Sequence, residues 1–462
     1  MSHSRRDRYR ILVGTVEVGG TLTDFADGFR RLGHSVTSVI RQTNRFYPDS
    51  QYDVDISVSA PDIVPWPQSI ARSRSLAVRL PRGAANRLAS WSQWLALMLQ
   101  HDIFVFQWGG TSLTDGNREY PFLKRLNKRI VSVFNGSDIR YPPAHLQQFS
   151  GLPTNAEYQK ALLARISDDP VGPVRNLRIA ELHSDLILSV PNQSSMSVRP
   201  YMHFLVPIDL SKYACHIPES DVPVIVHAPS SRALKGTDAI LAALDTLRAD
   251  GIPFELRLMD RFTNQEVIAE LAKADIAIDQ LYAPCYGKFG LEAMASGCAL
   301  ATCSREDYEP FPSGRPIWHV DASNILEKLR LLLTNKDLRI RLAREGRSYV
   351  ERYHAHVAVA SRILASLDGG EIDPYDHYPT FCAVDYRPDD ISSIPEVLKE
   401  MTLQVVRRHG LPPEANPREM ISRGLLSQGS PRELDEIPRW KISRAAVETR
   451  SEFFGAPGAK PA

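Results

Sequence analysis

The sequence predicts an α/β fold made of two doubly wound parallel-sheet units in tandem, followed by a helical or irregular extension. Three observations carry that expectation. Apolar runs of strand length alternate with longer amphipathic stretches, the pattern of parallel sheets covered on both faces by helices. The pattern runs once through the first half and then restarts, and between the two series Pro200, Pro207, Pro218 and Pro223 interrupt regular structure. A chain of 462 residues, 43% of them hydrophobic, is long enough for two or three domains with sizeable cores.

In the first series the strand candidates are Ile11 to Val13, Val36 to Ile40, Ile103 to Phe106, Ile130 to Phe134 and Leu186 to Val190. In the second they are Val224 to Val226, Phe254 to Leu258, Ile276 to Ile278, Leu300 to Thr302 and Ile317 to Val320, with helices such as Asp238 to Ala249 and Glu266 to Lys273 between them. Leu326 to Leu333, Arg339 to Arg352 and His354 to Leu367 read as closing helices. The expected division is therefore 1–205 for an N-terminal unit, 206–368 for a C-terminal unit and 369–462 for the extension. The extension carries no readable motif, and its last residues, 455–462, are expected to be disordered. Two doubly wound units place a cleft between them, with the carboxyl ends of both sheets facing it.

Charge and cysteine content narrow the function classes. A net charge of +1 argues against a dedicated nucleic-acid binder. The five cysteines, Cys215, Cys285, Cys298, Cys303 and Cys382, form no Cys-x-x-Cys pair, which reads as reduced thiols in a reducing compartment. The N-terminal decapeptide is charged and lacks an apolar signal core, and no eighteen uncharged apolar residues run together. A cytoplasmic protein without a spanning helix is the expectation.

The most informative block is 222–302. Arg232 and Lys235 follow a buried-looking strand, where two cations can face a diphosphate that needs neutralising as it leaves. Gly236 then opens a helix. Farther on, Gly287 and Gly290 let the backbone approach a ligand, and a helix beginning near Leu291 would aim free N–H groups and its positive dipole end at phosphate. Glu292 would stand in its first turn, placed to accept two hydrogen bonds from a ribose diol. Taken singly, each feature is common for structural reasons; it is their joint order that points to a nucleotide-sugar site.

This block, ending in Glu-Ala-Met-Ala-Ser-Gly at 292–297, resembles the C-terminal nucleotide-binding domain of GT-B-fold glycosyltransferases, in particular the group-1, retaining, family-4-like type. The resemblance implies two Rossmann-like domains facing a cleft. It also implies transfer of a hexosyl group from a nucleotide diphosphate sugar to a hydroxyl acceptor, which could be a glycan, a lipid-linked sugar or a small molecule, with retention of configuration. By the same resemblance Arg232 and Lys235 hold the donor diphosphate and Glu292 the ribose, with Gly287, Gly290, Leu291 and Ser231 counted among the donor-binding residues. The family's first motif glutamate should fall eight positions before Glu292, where this chain has Pro284; Asp279 or Gln280 could substitute. That departure motivates an alternative, a non-catalytic nucleotide-sugar or glycan-binding subunit. A sugar-nucleotide epimerase of the same fold is a third reading.

In the N-terminal unit the first strand runs into Gly14-Thr15-Val16-Glu17-Val18-Gly19-Gly20-Thr21, where Gly20 replaces the lysine that a P-loop requires. Gly19 and Gly20 suit a turn that brings the first helix to the cleft; in GT-B enzymes the same turn touches the donor phosphate or the acceptor. Asn135-Gly136-Ser137-Asp138-Ile139-Arg140 follows another strand and resembles a Gly-Ser-Asp-Ile-Arg segment of some group members. Asp138, taken as catalytic, or Arg140 would then lie near the acceptor or sugar, against the plainer reading of a structural turn. His227 reads as a structural histidine.

Asp53-Val54-Asp55 alternates acid with apolar residue and reads as a strand edge rather than a metal site. No metal or other cofactor is expected, because protein cations and helix dipoles can neutralise the diphosphate. Arg72, Arg74, Arg79, Arg82 and Arg87 precede Trp91, Trp94, Leu95, Leu97, Met98 and Leu99. A core helix after a solvated loop is the plain reading of 72–99, and peripheral contact with the inner face of an anionic membrane is the alternative.

Overall fold

The computed structural model describes residues 8–42, 44–56, 75, 91–108, 116–136, 138–140, 142, 145–146, 149–165, 172–190, 196–306, 309, 312–369, 395–411, 415–422 and 424–439. Its first sheet has seven parallel strands: β1 Arg10–Val16, β2 Ser35–Gln42, β3 Val54–Asp55, β4 Ile103–Gln107, β5 Arg129–Val133, β6 Leu186–Ser189 and β7 Met202–His203. They lie in the order β3-β2-β1-β4-β5-β6-β7. Its second sheet has β8 Val224–His227, β9 Glu255–Leu258, β10 Ile276–Ile278, β11 Ala299–Thr302 and β12 Trp318–His319, in the order β12-β11-β10-β8-β9. Each of the ten predicted strands has an observed counterpart, with ends moved by at most three residues.

The reason these runs become strands is visible in how they divide their side chains. Leu12, Phe104, Phe106 and Ile130 enter one apolar cluster, while Ile11, Val13, Ile103, Val105, Val131 and Val133 enter another. A period of two sends alternate residues to opposite faces, and both faces are dry, so the strands read as continuous apolar runs.

One face of the first sheet is covered by helix α1 (Thr21–Arg31) through Leu22, Phe25, Ala26 and Phe29. Beside it lies a helix from the far end of the second unit, His356–Leu367, which contributes Val359, Ala360, Ile363 and Leu364. Gly28 permits that contact, since a Cβ there would stand 2.5 Å from the His356 carbonyl oxygen. The chain leaves the first unit near Ile208 and returns at His354–His356, and the two crossings are hydrogen-bonded: the Ile208 N–H donates to His354 O (2.8 Å) and the His356 N–H to Ile208 O (3.0 Å).

The opposite face is covered from two directions. Gly172–His183 brings Val174, Leu177 and Ala180, and the C-terminal extension brings Leu398, Leu403, Val405 and Val406 from the helix Glu396–His409, with Met420, Leu425, Leu434 and Ile437 beyond it. The described part of the extension is thus part of the first unit's core. A fully buried network ties it down: Arg178 pairs with Glu181 (2.5 Å) and donates to Thr402 Oγ1 (2.7 Å) and Met196 O (2.9 Å), while Glu181 accepts from Tyr201 and the Val198 N–H. Residues 370–394 and 440–462, including the tail expected to be disordered, lie outside the described residues.

Residues 91–100 are helical, with Leu97 and Met98 in the core and Trp91, Leu95 and Leu99 exposed; the five arginines before them lie outside the described residues. Among the described residues no helix is long and apolar enough to cross a membrane. Asp53 stands at the start of β3, where its carboxylate accepts from the Ser38 N–H and hydroxyl and from Arg30.

Removing Arg178 would leave Glu181 buried without its cation. Arg178→Ala should lower the unfolding free energy by about 3–5 kcal/mol in urea titration. Ending the chain at 369 should leave the first unit insoluble or unfolded, because the apolar cluster on one face of its sheet would lose Leu398, Leu403, Val405, Val406 and the residues beyond them.

Candidate active site in the interdomain cleft

In the first sheet the strand order reverses between β1 and β4, and in the second between β8 and β10. The carboxyl ends of these strands open onto one cleft, as open α/β sheets require at such switch points. A cavity of about 460 Å³ is lined by Gly19 and Trp108 from the first unit and by Ser230, Lys235, Lys288 and Glu292 from the second. An adjoining one of about 480 Å³ shares Gly19, Phe46, Tyr47, Asn264, Lys288 and Glu292 with it.

Gly19 and Gly20 form the turn after β1 with φ of 64° and 75°, a left-handed conformation that residues with a Cβ rarely adopt. Gly20 is the N-cap of α1, and a Cβ on it would press on the Tyr47 ring at 3.1 Å. Both glycines line the cleft, and Gly19 packs beside Lys288.

The helix carrying Glu292 begins at Lys288 and ends at Ala295, with Gly287 as its extended N-cap. This corrects the expected start near Leu291. Asp279 accepts from the Gly287 N–H (3.1 Å) and fixes the entry, so the turn closes earlier, with the Leu291 N–H donating to Gly287 O. Glu292 therefore sits in the second turn. Gly290 lies against β11, where a Cβ would meet Leu300 at 3.0 Å, and Leu291 belongs to the apolar core below the cleft.

Glu292 is buried, and its Oε1 accepts from Asn264 Nδ2 (2.9 Å) and the Tyr213 hydroxyl (3.3 Å). Among the described residues its Oε2 has no hydrogen-bond partner. Burial pushes its pKa from 4.5 up to about 7 against the pull of Lys288. Glu17, in the loop after β1, is likewise raised to about 6, chiefly by burial; it accepts from the Tyr52 hydroxyl at 3.1 Å.

The cations occupy defined partners. Lys235 donates to Asp279 Oδ1 (2.5 Å) and Gln280 Oε1 (3.0 Å). Lys288 donates to Asp24 Oδ2 (2.8 Å) and Pro207 O (2.9 Å), and Lys212 to Asp24 Oδ1 (2.6 Å), so one carboxylate of α1 spans both units.

Three sequence candidates stand elsewhere. Arg232 lines neither cavity: the left-handed bend at Gly236 brings Asp238 within reach, and the guanidinium pairs with it at 2.6 Å on the rim. Ser231 stands at the N-cap position of the short helix Arg232–Lys235 without a side-chain capping bond, and its neighbour Ser230 lines the cleft instead. Asp138 accepts from the backbone N–H groups of Asn135 (3.1 Å) and Gly136 (2.7 Å), which makes it the centre of a turn, and it lines neither cavity. His227 joins Ile278 O (2.8 Å) and Thr237 Oγ1 (2.9 Å), and burial lowers its pKa to about 4, so it is a neutral structural residue.

Sequence reasoning missed Lys288, Asn264, Asp24, Trp108, Arg165 and Arg261 as cleft residues. Lys288 could have been found from its place between Gly287 and Gly290. Asn264 opens a helix, Asn264–Leu271, whose Thr263/Glu266 capping box is legible in the sequence.

No protein-family model matches the sequence, and no curated protein matches it. Solved structures similar to the chain include an alpha-glucosyltransferase in complex with UDP-glucose and DNA containing an abasic site (14% identity, TM-score 0.49, covering 78% of this chain and 99% of that one). Another is a sucrose-phosphate synthase from Thermosynechococcus elongatus (11% identity, TM-score 0.49, 78% and 98%). A third is WaaG, a glycosyltransferase involved in lipopolysaccharide biosynthesis (14% identity, TM-score 0.47, 78% and 100%). The decisive observation is the topology itself: two all-parallel doubly wound sheets, carboxyl ends facing one cleft, and a last helix that crosses back onto the first unit. The architecture is GT-B.

In this GT-B cleft the raised pKa of Glu292 has a consequence for stability. The folded chain holds the proton more tightly than the unfolded one, so stability is fully present below the unfolded value and is lost as pH rises from 4.5 through about 7. Glu292→Gln keeps an acceptor oxygen for Asn264 and Tyr213. It should flatten that decline and leave the variant more stable than wild type at pH 8 by on the order of 3 kcal/mol, read by denaturant titration across pH.

Proposed function

We propose that the chain is a glycosyltransferase that moves a hexosyl group from a nucleotide diphosphate sugar to a hydroxyl acceptor with retention of configuration. The observation that carries the reading is the placement of Glu292. It is a buried carboxyl on the cleft floor with one oxygen held by the protein and the other unpartnered among the described residues, one turn from a helix N-terminus aimed at the same cavity.

In this reading the free Oε2 of Glu292 accepts hydrogen bonds from the ribose diol. The N–H groups of Lys288, Phe289 and Gly290 have no carbonyl partner within their helix and face the donor phosphates together with the positive end of the helix dipole. Lys235 has three N–H groups, two of them taken by Asp279 and Gln280, so one remains for the diphosphate. As the glycosidic bond breaks, negative charge builds on the departing diphosphate, and these fixed donors favour that state over the ground state. The same oxygen can take the proton of the acceptor hydroxyl attacking on the same face. Neutralisation is assigned to protein groups, with no metal in the proposal. Arg232 is placed outside the diphosphate seat, since its charge is spent on Asp238.

One observation favours a second reading, a nucleotide-sugar-binding subunit without transfer activity. Pro284 stands where the resemblance calls for the sugar-contacting glutamate, and Asp279 already fills part of the anion seat between Lys235 and the Gly287 N–H.

The test is calorimetry with UDP, ADP, GDP and their sugar conjugates, followed by donor turnover. One nucleotide should bind, more tightly as pH rises through about 7 as Glu292 ionises, and Glu292→Gln should remove the pH dependence. Lys235→Ala should lower turnover by roughly 10²–10³. Nucleotide binding with neither transfer nor slow donor hydrolysis would leave the binding-subunit reading standing, and no nucleotide binding at all would sink both.

A further inference from the structure

Four of the cations bordering the cleft are paired with carboxylates: Lys235 with Asp279, Lys288 and Lys212 with Asp24, and Arg232 with Asp238. Two are not. Arg165, just past the helix Ala156–Leu163, whose Tyr158 and Leu162 pack into the second unit's apolar cluster, and Arg261, just past β9, line the 460 Å³ cavity. No carboxylate of the described residues pairs with either.

The backbone holds one of them there at a conformational cost. Among the described residues only four without glycine's freedom have positive φ: Asn117 and Asn127, of a type that tolerates it, and Trp108 (64°) and Arg261 (70°). Both of the latter line the same cavity, one from each unit. Left-handed conformations in bulky residues cluster where a site needs a side chain aimed against local preference.

Two guanidinium groups that line one cavity with no carboxylate beside them offer bidentate donors to an anion seated there. The Arg165 pKa lies below the ordinary arginine value, first from displaced water and then from the like charge of Arg140. Trp108, half-buried in the wall of the same cavity, supplies an aromatic ring suited to a sugar.

We propose that Arg165 and Arg261 form an anion subsite in the cleft, and that the acceptor is a sugar bearing a phosphate or carboxylate, laid against Trp108. The proposal rests on the transferase reading of the cleft. Trp108 comes from the first unit, while Glu292 and the proposed diphosphate seat come from the second, which is why the charged sugar is assigned to the acceptor.

The test is calorimetry on the full chain with glucose 6-phosphate, glucuronate and methyl glucoside, without nucleotide, beside a separate titration with UDP, ADP and GDP. A charged sugar should bind at least about tenfold more tightly than methyl glucoside, and Arg165→Gln and Arg261→Gln should each abolish that preference. The comparison of glucose 6-phosphate with glucuronate tells phosphate from carboxylate. Equal binding of charged and neutral sugars, or no sugar binding, overturns the proposal. So does a loss of nucleotide affinity in the two variants with sugar preference intact, which would move both arginines to the donor seat. Absence of nucleotide binding in wild type counts against the transferase reading alone, because the sugar titrations do not depend on it. Far-ultraviolet circular dichroism of both variants distinguishes loss of the subsite from loss of the fold, and Arg165→Lys, which keeps the charge without the bidentate fork, should retain part of the preference.

Discussion

Asp24 sets the separation of the two domains. Its carboxylate, nearly inaccessible to water, accepts from Lys212 in the crossing segment and from Lys288 at the start of the glutamate-bearing helix. One turn on, Asp27 accepts from His356 Nε2 at 2.9 Å, so the same face of α1 also receives the returning chain. The other face of α1, with Leu22, Phe25 and Phe29, is buried on the first sheet. A single helix thus carries the contact of the second domain into the core of the first. Lys288 is shielded with Asp24 while Lys212 is partly exposed, so losing Lys288 would be the more costly change, because the Asp24 carboxylate stays buried. The position of Lys288, and with it the helix end that faces the cleft, follows from Asp24.

Glu292 shows the complementary constraint. Its burial is unfavourable to its charge, and Asn264 and Tyr213 compensate only in part, which is why its pKa rises to about 7. A core position free of functional demands would carry an apolar residue here, as its neighbours Leu291, Ala293 and Met294 do. A titratable group kept at this cost on a cleft floor is the kind of local inconsistency that marks a site.

What was legible in the sequence follows from how local each determinant is. The strands were readable because both sheet faces are dry and the apolar runs are unbroken. Gly19, Gly20, Lys235 and Glu292 were readable because a strand end followed by a helix fixes where they point. Glu292 was placed one turn too early, since the Asp279 carboxylate that closes the Gly287 entry comes from another strand. Asp138 and Arg232 were drawn to the cleft by their places just after a strand and by resemblance, although their partners, the Asn135 and Gly136 N–H groups and Asp238, lie within a few residues. Arg165 and Arg261 gave no signal, because the turns that bring them to the cavity have no pattern in their residue types. The helix Glu396–His409 shows its buried face in Leu398, Thr402, Val405 and Val406, but the surface it covers is set by Arg178, 224 residues before Thr402.

The pairing of the cleft's charges decides what its field can do. Lys235 is paired with Asp279, and Lys288 and Lys212 with Asp24, while Asp209 stands 3.9 Å from Lys212. Burial raises the pKa of Glu292 to about 7. The seat beside the Lys288 helix therefore attracts a phosphate mainly through the helix end, equivalent to roughly half a charge, and through backbone N–H groups that act only at contact distance. Attraction at longer range falls to the unpaired arginines, whose field is focused by the low-dielectric walls on both sides. Arg165 and Arg261 are thus the cleft cations left for the proposed acceptor anion, while the helix end and Lys235 are occupied in the proposed donor seat. Donor and acceptor would then be drawn into one cavity by different means, the acceptor by unpaired charge and the donor by fixed dipoles.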